Sequence, residues 1–296
     1  MRIAILGARG FLGKRLCQQL TTQGHEVVGY VLNSNLEQNP SFETRSVIDL
    51  ITLPLSDQSP YDITINLAAR RSTRDQRFSE NEVNNFTFEI PKEFILHTAS
   101  SQTIVINAST YIQNYGGENG RTVDSYGAAK EQLSKFLSEK SEIEGFKTRD
   151  LFFFTLYGIG DRSNHLVPLL LDAAKSGDQI SLSPGYQLMN LLYLDDAVQN
   201  ILNCISLTDQ SFYRKSYVWR EDYFSVRELV ARIESVIGTE INCDWGSRDY
   251  AGHEMMNQWP IPMQQLKGFI ATTELEDGIR KIWEASKGDT RVESEI

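Results

Sequence analysis

Three glycines spaced three residues apart, Gly7, Gly10 and Gly13, constrain the fold of this chain more than any other feature. They lie directly between a short apolar run, Ile3–Leu6, and a segment with helical periodicity that begins at Phe11. Glycines let the backbone approach a ligand closely, and the N-terminus of the following helix carries partial positive charge. The arrangement therefore predicts a loop that binds the phosphates of a dinucleotide. A turn that is merely rich in glycine is the alternative.

Short apolar runs alternate with helical patterns through the first half of the chain, which predicts an α/β fold with a doubly wound parallel sheet of Rossmann type. From residue 161 onward the pattern mixes small helices and strands. We predict a dinucleotide-binding domain over residues 1–160, to which a strand and helix near 188–205 return, and a smaller mixed α/β lobe over 161–296 that mainly binds substrate. The apolar runs are Ile3–Leu6, Val27–Leu32, Ile63–Leu67, Ile104–Asn107 and Asp150–Leu156.

The composition excludes several classes of partner. A formal net charge of −10 disfavours nucleic acid and anionic membrane surfaces, because both attract basic proteins. No stretch is apolar for long enough to cross a bilayer. The three cysteines have no paired spacing and the four histidines have no metal-ligand spacing, so we expect neither disulfides nor a metal site, and a cytoplasmic location.

Tyr126 and Lys130 lie four residues apart in a helical segment, so their side chains share one face. A phenol with a pKa of about 10 is a poor proton-transfer catalyst at neutral pH, and a nearby ammonium favours its ionised form. Upstream, the strand Thr103–Asn107 runs into Ser109 and Thr110, either of which could orient and polarise a reacting oxygen. A hydroxyl that only caps a turn is the alternative for both residues.

Together these motifs resemble the NAD-dependent epimerase/dehydratase family of extended short-chain dehydrogenases, most of which act on nucleotide-activated sugars. The resemblance runs nearly end to end, because Leu156–Asp161, Tyr193–Ala197 and Leu275–Ile279 are similar to later motifs of that family. It implies an oxidoreductase in which Tyr126 and Lys130 are catalytic. Thr110 is the first choice for the hydroxyl that binds the reacting oxygen, and Ser109 is the second.

The resemblance also implies a cofactor site and favours NADP(H) over NAD(H). The acidic residue that would bind the adenosine ribose of NAD at the end of the second strand is replaced by Asn33, and Arg9 can pair with a 2′-phosphate. A solvated Arg9 and a turn residue at Asn33 are the alternative. The remaining cofactor residues implied are Phe11 and Leu12 beside the glycines, the adenine-contacting pair Asp49 and Leu50, and the wall Leu67, Ala68 and Ala69.

Departures from the family pattern guide the choice of reaction. Dehydratases of the family carry an acid pair just after the catalytic threonine, whereas this chain has Tyr111 and Ile112, which disfavours elimination of water. Segments at Leu166–Leu170 and Leu182–Gln187 resemble those of CDP- and dTDP-linked 4-keto-6-deoxyhexose reductases. We therefore predict NADPH-dependent reduction of a keto group on a nucleotide sugar. An NAD-dependent 4-epimerase is the main alternative, and a non-catalytic NADP-binding regulator is a distant one.

Substrate contacts and association are predicted more loosely. Arg70, Thr155 and Asn164 are candidate substrate residues, although Arg70 also fits a solvated run of charge. Many relatives dimerise through the helix that carries the Tyr–Lys pair. The apolar positions Leu133, Phe136 and Leu137 therefore predict either core packing or the interface of a homodimer.

Overall fold

A computed structural model of the chain describes residues 1–32, 41–55, 60–72, 77–116, 120–161, 165–206, 209–259 and 265–289. The chain divides into two compact units. The first comprises Met1–Phe153, Val198–Val218 and Ile261–Phe269, and the second comprises Phe154–Ala197, Trp219–Pro260 and Ile270–Ile296.

The strands and helices alternate over most of the chain. The strands are β1 (Arg2–Leu6), β2 (Glu26–Val31), β3 (Glu43–Ser46), β4 (Ile63–Asn66), β5 (Ile104–Thr110), β6 (Lys147–Phe153), β7 (Thr155–Tyr157), β8 (Ile180–Leu182), β9 (Leu188–Met189), β10 (Leu191–Tyr193), β11 (Tyr213–Val218), β12 (Phe224–Ser225) and β13 (Cys243–Trp245). The α-helices are α1 (Phe11–Thr22), α2 (Val47–Ile51), α3 (Glu80–Asn84), α4 (Ile90–Thr98), α5 (Ser125–Glu144), α6 (Leu166–Ser176), α7 (Leu194–Ser206), α8 (Val226–Ile237) and α9 (Leu275–Asp289). A π-helical turn, Asn85–Glu89, joins α3 to α4, and a 3-10 turn, Tyr111–Asn114, follows β5.

A parallel sheet of seven strands forms the centre of the first unit. Its order is β11-β6-β5-β4-β1-β2-β3, and every neighbouring pair is parallel. Helices flank the sheet: Phe94 of α4 and Leu133 of α5 pack with Ala4 and Leu6 of β1, while α1 packs against β1 and β2. The predicted Rossmann-type α/β fold is confirmed.

The strand order reverses at β1, which lies between β2 and β4. At such a point in an open parallel sheet, the connections that follow two neighbouring strands run to opposite faces of the sheet. A crevice forms between these connections, and ligands bind in it. Gly7 follows β1 and Leu67 follows β4, so both predicted cofactor segments begin at this crevice.

The region near 188–205, predicted to return to the first domain, is divided between the two units. The opening stretch of the first unit ends at Phe153, and β10 pairs with β7 within the second unit, whereas Val198–Val218, which begins inside α7, belongs to the first unit. The strand that joins the central sheet is β11, which pairs with β6 at the edge. Its polar sequence, with Arg214, Lys215 and Ser216, lacks the apolar run of an inner strand, as is common for edge strands.

Helices and short strand pairs make up the second unit. The pairs are β7 with β10, β9 with β12, and β8 with β13. Its core contains fully buried side chains from three helices, among them Leu170 of α6, Ile233 of α8 and Ile279 of α9. Within the ranges described, none of the helices combines the length and apolarity needed to cross a lipid bilayer.

Candidate active site

The glycine loop is packed so tightly that only glycine fits at two of its positions. Gly7 has a φ of 86°, and a Cβ placed on it would lie 3.0 Å from the amide nitrogen of Ala68. A Cβ on Gly13 would run into the carbonyl oxygen of Gly7. The loop therefore holds β1, the start of α1 and the segment after β4 close together.

The N-terminus of α1 fits a bound phosphate. Its cap residue, Gly10, offers no side chain to the first-turn N–H groups, and that turn contains no acidic residue. Gly10 and Arg9 are exposed, while Phe11 and Leu12 are half-buried. A dinucleotide pyrophosphate would supply the acceptors that the helix itself lacks.

The other predicted cofactor residues lie at the same edge of the sheet. Asp49 is exposed in the first turn of α2, directly after β3, and its amide donates to the Ser46 hydroxyl (3.2 Å). Leu67 and Ala68 are half-buried and Ala69 is exposed where the chain leaves β4. Asn33 lies outside the described residues.

Ser109 and Thr110 extend β5 beyond its predicted end, and as neighbours in a strand they point to opposite faces. Ser109 Oγ donates to Asp150 Oδ1 at 2.6 Å and lies 3.2 Å from Ser134 Oγ, so its hydroxyl belongs to a buried network. Thr110 faces the other way, where its hydroxyl accepts from the Ile112 amide (3.4 Å) and lowers the pKa of the Tyr126 phenol. The structure thus brings Thr110, rather than Ser109, to the phenol.

Tyr126 lies in the first turn of α5. Asp124 caps this helix through an Oδ1 acceptor 2.7 Å from the Gly127 amide. Burial raises the pKa of Tyr126, and the positive charge of Arg71 and the hydrogen bond from Thr110 oppose that rise. The negative charge of Asp124 raises this pKa further. The phenol thus keeps its proton at neutral pH.

Lys130, in the next turn of α5, hydrogen-bonds to the backbone of β5 and of the segment that follows β4. Its ammonium donates to the carbonyl oxygens of Ala108 (2.6 Å) and Ala68 (3.3 Å), and the residue is 2% exposed. Burial lowers the pKa of Lys130 to about 8, and the charge of Asp150 opposes that fall. The sequence predicted that this ammonium would lower the phenol pKa. In the structure burial dominates at Tyr126, and the cation placed over its ring is Arg71.

A buried polar network behind the site was missed by the sequence reasoning. Asp150, fully buried, accepts from Asn107 Nδ2 (2.8 Å) and from Tyr213 Oη (2.7 Å), and Asn107 in turn accepts from Asn66 (2.8 Å). A carboxylate at the start of the apolar run Asp150–Leu156 was the available signal, because buried charges need partners. The network crosses β4, β5, β6 and β11 beneath Lys130.

The predicted substrate residues belong to different units or lie outside the described residues. Arg70 has its guanidinium 3.6 Å from the ring centre of Phe86 and 4.7 Å from that of Phe78, both in the first unit. Thr155 belongs to the second unit, where its amide donates to the Asn190 carbonyl (3.2 Å). Asn164 lies outside the described residues. The substrate roles of all three stay predictions.

The helix that carries the Tyr–Lys pair packs inward at its apolar positions. Leu133 and Leu137 are fully buried, and Phe136 packs half-buried against the same core. The homodimer stays a prediction. Among the residues described, no group of histidine, cysteine and acidic side chains has the arrangement to hold a metal ion.

Comparison with known proteins gives three kinds of similarity. A family model described as the NAD dependent epimerase/dehydratase family matches residues 3–217. CDP-abequose synthase of Yersinia pseudotuberculosis is 26% identical over 266 residues, which cover 86% of this chain and 91% of that protein. Protein CapI of Staphylococcus aureus is 23% identical over 229 residues, 68% of each chain.

Solved structures share the fold over almost the whole chain. UDP-glucuronic acid 4-epimerase from Bacillus cereus, in complex with UDP-glucuronic acid and NAD, has a TM-score of 0.82 at 18% identity and covers 97% of this chain and 99% of its own. MoeE5 in complex with UDP-glucuronic acid and NAD has a TM-score of 0.81 at 19% identity, covering 98% and 100%. At this level of identity the likeness shows the fold alone.

Proposed function

The chain belongs to the NAD-dependent epimerase/dehydratase family of extended short-chain dehydrogenases, and from that premise we propose that it is an NADPH-dependent reductase. Its proposed substrate is a nucleotide-activated 4-keto-6-deoxy sugar, whose keto group becomes a hydroxyl. One observation supports reduction: the structure places the Tyr126 phenol, which holds its proton at neutral pH, beside Thr110 at the carboxyl end of the central sheet. Reduction of a carbonyl needs a proton donor of that kind.

The chain's own residues supply position and the proton. The Thr110 hydroxyl orients the carbonyl oxygen beside Tyr126, and Tyr126 Oη donates its proton to that oxygen as the carbon is reduced. The phenolate that remains is reprotonated from solvent. When bound, NADPH supplies the hydride that this carbon accepts.

The cofactor would be held by groups at the carboxyl edge of the sheet. The loop Gly7–Gly13 and the start of α1 fit its pyrophosphate, and Asp49 and Ala68 flank the same crevice. Two sequence features support NADP: no acidic residue ends the second strand, and the exposed Arg9 stands in the phosphate loop.

One similarity supports the sugar-nucleotide substrate, and the residues after Thr110 bear on the reaction. The curated relative with 26% identity is named a CDP-abequose synthase, so its product is a CDP-linked sugar. In this chain the positions after Thr110 are Tyr111 and Ile112, and Ile112 is buried. Without an acid there, elimination of water from the sugar lacks its catalyst, which leaves reduction or oxidation at one carbon, or the oxidation and reduction cycle of a 4-epimerase.

The experiment is a cofactor-consumption assay. Purified protein receives CDP- or dTDP-linked 4-keto-6-deoxyglucose with either NADPH or NADH, and loss of the reduced cofactor is followed by fluorescence. We expect one cofactor consumed per sugar reduced, faster with NADPH, and a smaller preference in Arg9→Ala. Tyr126→Phe should lose about 100-fold or more in turnover, the usual contribution of a general acid. Tyr61→Phe, at the amino end of β4, should not.

Other outcomes identify the alternatives. Interconversion of sugar epimers without net cofactor consumption, with NAD released on denaturation, would identify a 4-epimerase. Tight NADPH binding with no turnover on either sugar would favour a regulator. Full turnover by Tyr126→Phe would overturn the proposed mechanism.

A further inference from the structure

Arg71 lies over the ring of Tyr126 at the start of α5. We propose that Arg71 is a positioning residue that acts through the phenol: its positive charge, held over the ring, favours ionisation of Tyr126 in addition to any effect of Lys130. This inference rests on the proposed role of Tyr126 as the proton donor. The charge effect itself can be measured without substrate or cofactor.

Two contacts define the position of the Arg71 guanidinium. Arg71 Cζ is 5.5 Å from the centre of the Tyr126 ring, and Arg71 Nη2 is 3.8 Å from Asp124 Oδ2. The other oxygen of Asp124 accepts from the Gly127 amide at 2.7 Å and so caps α5. One carboxylate therefore fixes both the first turn of α5, which carries Tyr126, and the cation above that tyrosine.

The residue before Arg71 anchors the segment that carries it. Arg70 donates its amide to Thr87 Oγ1 (3.0 Å) and accepts from the same hydroxyl through its carbonyl (3.2 Å). Its guanidinium stacks on Phe86 and Phe78. Because these contacts hold the backbone at Arg70, the side chain of the neighbouring Arg71 starts from a backbone position that is also held.

Lys130 and Arg71 differ in what they contact. The Lys130 ammonium donates to the main-chain carbonyls of Ala108 and Ala68, whereas the Arg71 guanidinium lies over the ring of the phenol. A guanidinium also keeps its charge at any pH at which a phenol titrates.

Several described groups face the phenol besides Arg71. Asp124 and Tyr111 disfavour its ionisation, while the Thr110 hydroxyl supports it. Arg71 and Asp124 thus act on Tyr126 in opposite directions although they contact each other. This opposition distinguishes a charge effect from a purely structural one.

The test follows the ionisation of a single phenol. Tyr126 is replaced by a difluorotyrosine, whose more acidic phenol titrates in an accessible range, and its fluorine NMR shift is recorded against pH. The variants are Arg71→Gln, Arg71→Lys and Asp124→Asn. Asparagine is a good N-cap, so Asp124→Asn keeps the start of α5 while removing the charge. Lys135→Gln, which removes an exposed charge from the same helix, is the matched control.

We expect the titration midpoint to rise in Arg71→Gln, to fall in Asp124→Asn and to stay unchanged in Lys135→Gln. At the wild-type midpoint, Arg71→Gln should show a phenolate-to-phenol ratio roughly tenfold lower, as expected for loss of a cation within about 6 Å. Arg71→Lys should recover most of that ratio.

An unchanged midpoint in Arg71→Gln would overturn the inference, and so would shifts of the same sign in Arg71→Gln and Asp124→Asn. Circular dichroism of each variant checks that α5 and the fold persist. Because the titration uses neither sugar nor cofactor, absence of reductase activity would refute the proposed function and leave this measurement intact. An unchanged midpoint in an active enzyme would refute the inference alone.

Discussion

Two adjacent hydroxyls at the end of β5 have different surroundings, and they are expected to respond differently to mutation. Ser109 is hydrogen-bonded to Asp150 and Ser134 inside the protein, whereas the Thr110 hydroxyl caps the following turn and lowers the pKa of Tyr126. The alternation of a β-strand decides this difference. From the sequence alone either residue fitted the catalytic role, because the strand's register against β6 was unknown.

Exchanging each hydroxyl for an apolar group of similar size tests the assignment. Thr110→Val should lower turnover about 100-fold, since a positioned donor at the reacting oxygen contributes on that scale. It should cost about 1 kcal/mol of stability, because the Thr110 hydroxyl also caps the turn Tyr111–Asn114. Ser109→Ala should keep turnover but lose about 1–3 kcal/mol of unfolding free energy, because buried polar atoms of the network lose a partner. Urea unfolding and initial rates give both quantities. The reverse pattern, with Ser109→Ala inactive and stable, would reassign the catalytic hydroxyl.

At the residue scale, the sequence predicted the positions of the reactive groups better than it predicted the direction of their pKa shifts. The spacing of Tyr126 and Lys130 placed both on the first turns of one helix, as observed. Spacing contains no information on burial, however, and burial sets the direction in which both pKa values move. Arg71 approaches through a separate loop, so helix periodicity could not place it over the ring.

The glycine loop is the element on which the cofactor site depends, and Gly13 is its tightest point. A Cβ at this position meets the carbonyl oxygen of Gly7, a backbone atom that cannot move without disturbing β1. Gly13→Ala is expected to cost about 1–3 kcal/mol, the usual penalty of overpacking, and to weaken NADPH binding at least tenfold. Urea unfolding and a fluorescence titration measure the two effects. Gly252→Ala is the control, because no atom lies within 4 Å of its added Cβ. Equal NADPH affinity in Gly13→Ala and wild type would show that the loop tolerates the shift.

Inner strands were easier to predict than the edge strand for a physical reason. A strand covered by helices on both faces is buried along its length and mainly apolar, as the runs Ile3–Leu6 of β1 and Ile104–Ile106 of β5 are. The edge strand β11 carries charge, and it comes from a part of the chain far from β6 in sequence. Nothing in its local pattern marks its partner.

At the scale of the whole molecule, folding places titratable groups where their ionisation is disfavoured. Burial raises the pKa of the Cys17 and Cys204 thiols to about 12, from an ordinary value of 9.0. It also raises the pKa of Tyr157 and Tyr213. Composition gives the number of such groups, but only the packed structure shows which of them are buried.

Stability is therefore expected to decrease on the alkaline side. Above pH 9.0 the unfolded chain releases thiol protons that the folded chain retains, so the free energy of unfolding falls as pH rises toward 12. Lys130 acts in the opposite sense. Its pKa is lowered from 10.5 to about 8, so its contribution to stability is present above 10.5 and is lost as pH falls through 8.

The thiols and phenols outnumber the one lysine, which sets the sign of the net effect. With a reducing agent present, the urea concentration at the unfolding midpoint should be lower at about pH 10.5 than at about pH 8.5. The two most buried thiols, Cys17 and Cys204, should account for roughly 1 M of that decrease. Lys130→Met should make the decline steeper, because it removes the opposing contribution, whereas Lys135→Met, at a 70% exposed side chain, should leave the slope unchanged. Cys17→Ala should make the decline shallower. A midpoint that is constant or rises over this range would mean that these groups are more accessible to water than their packing indicates.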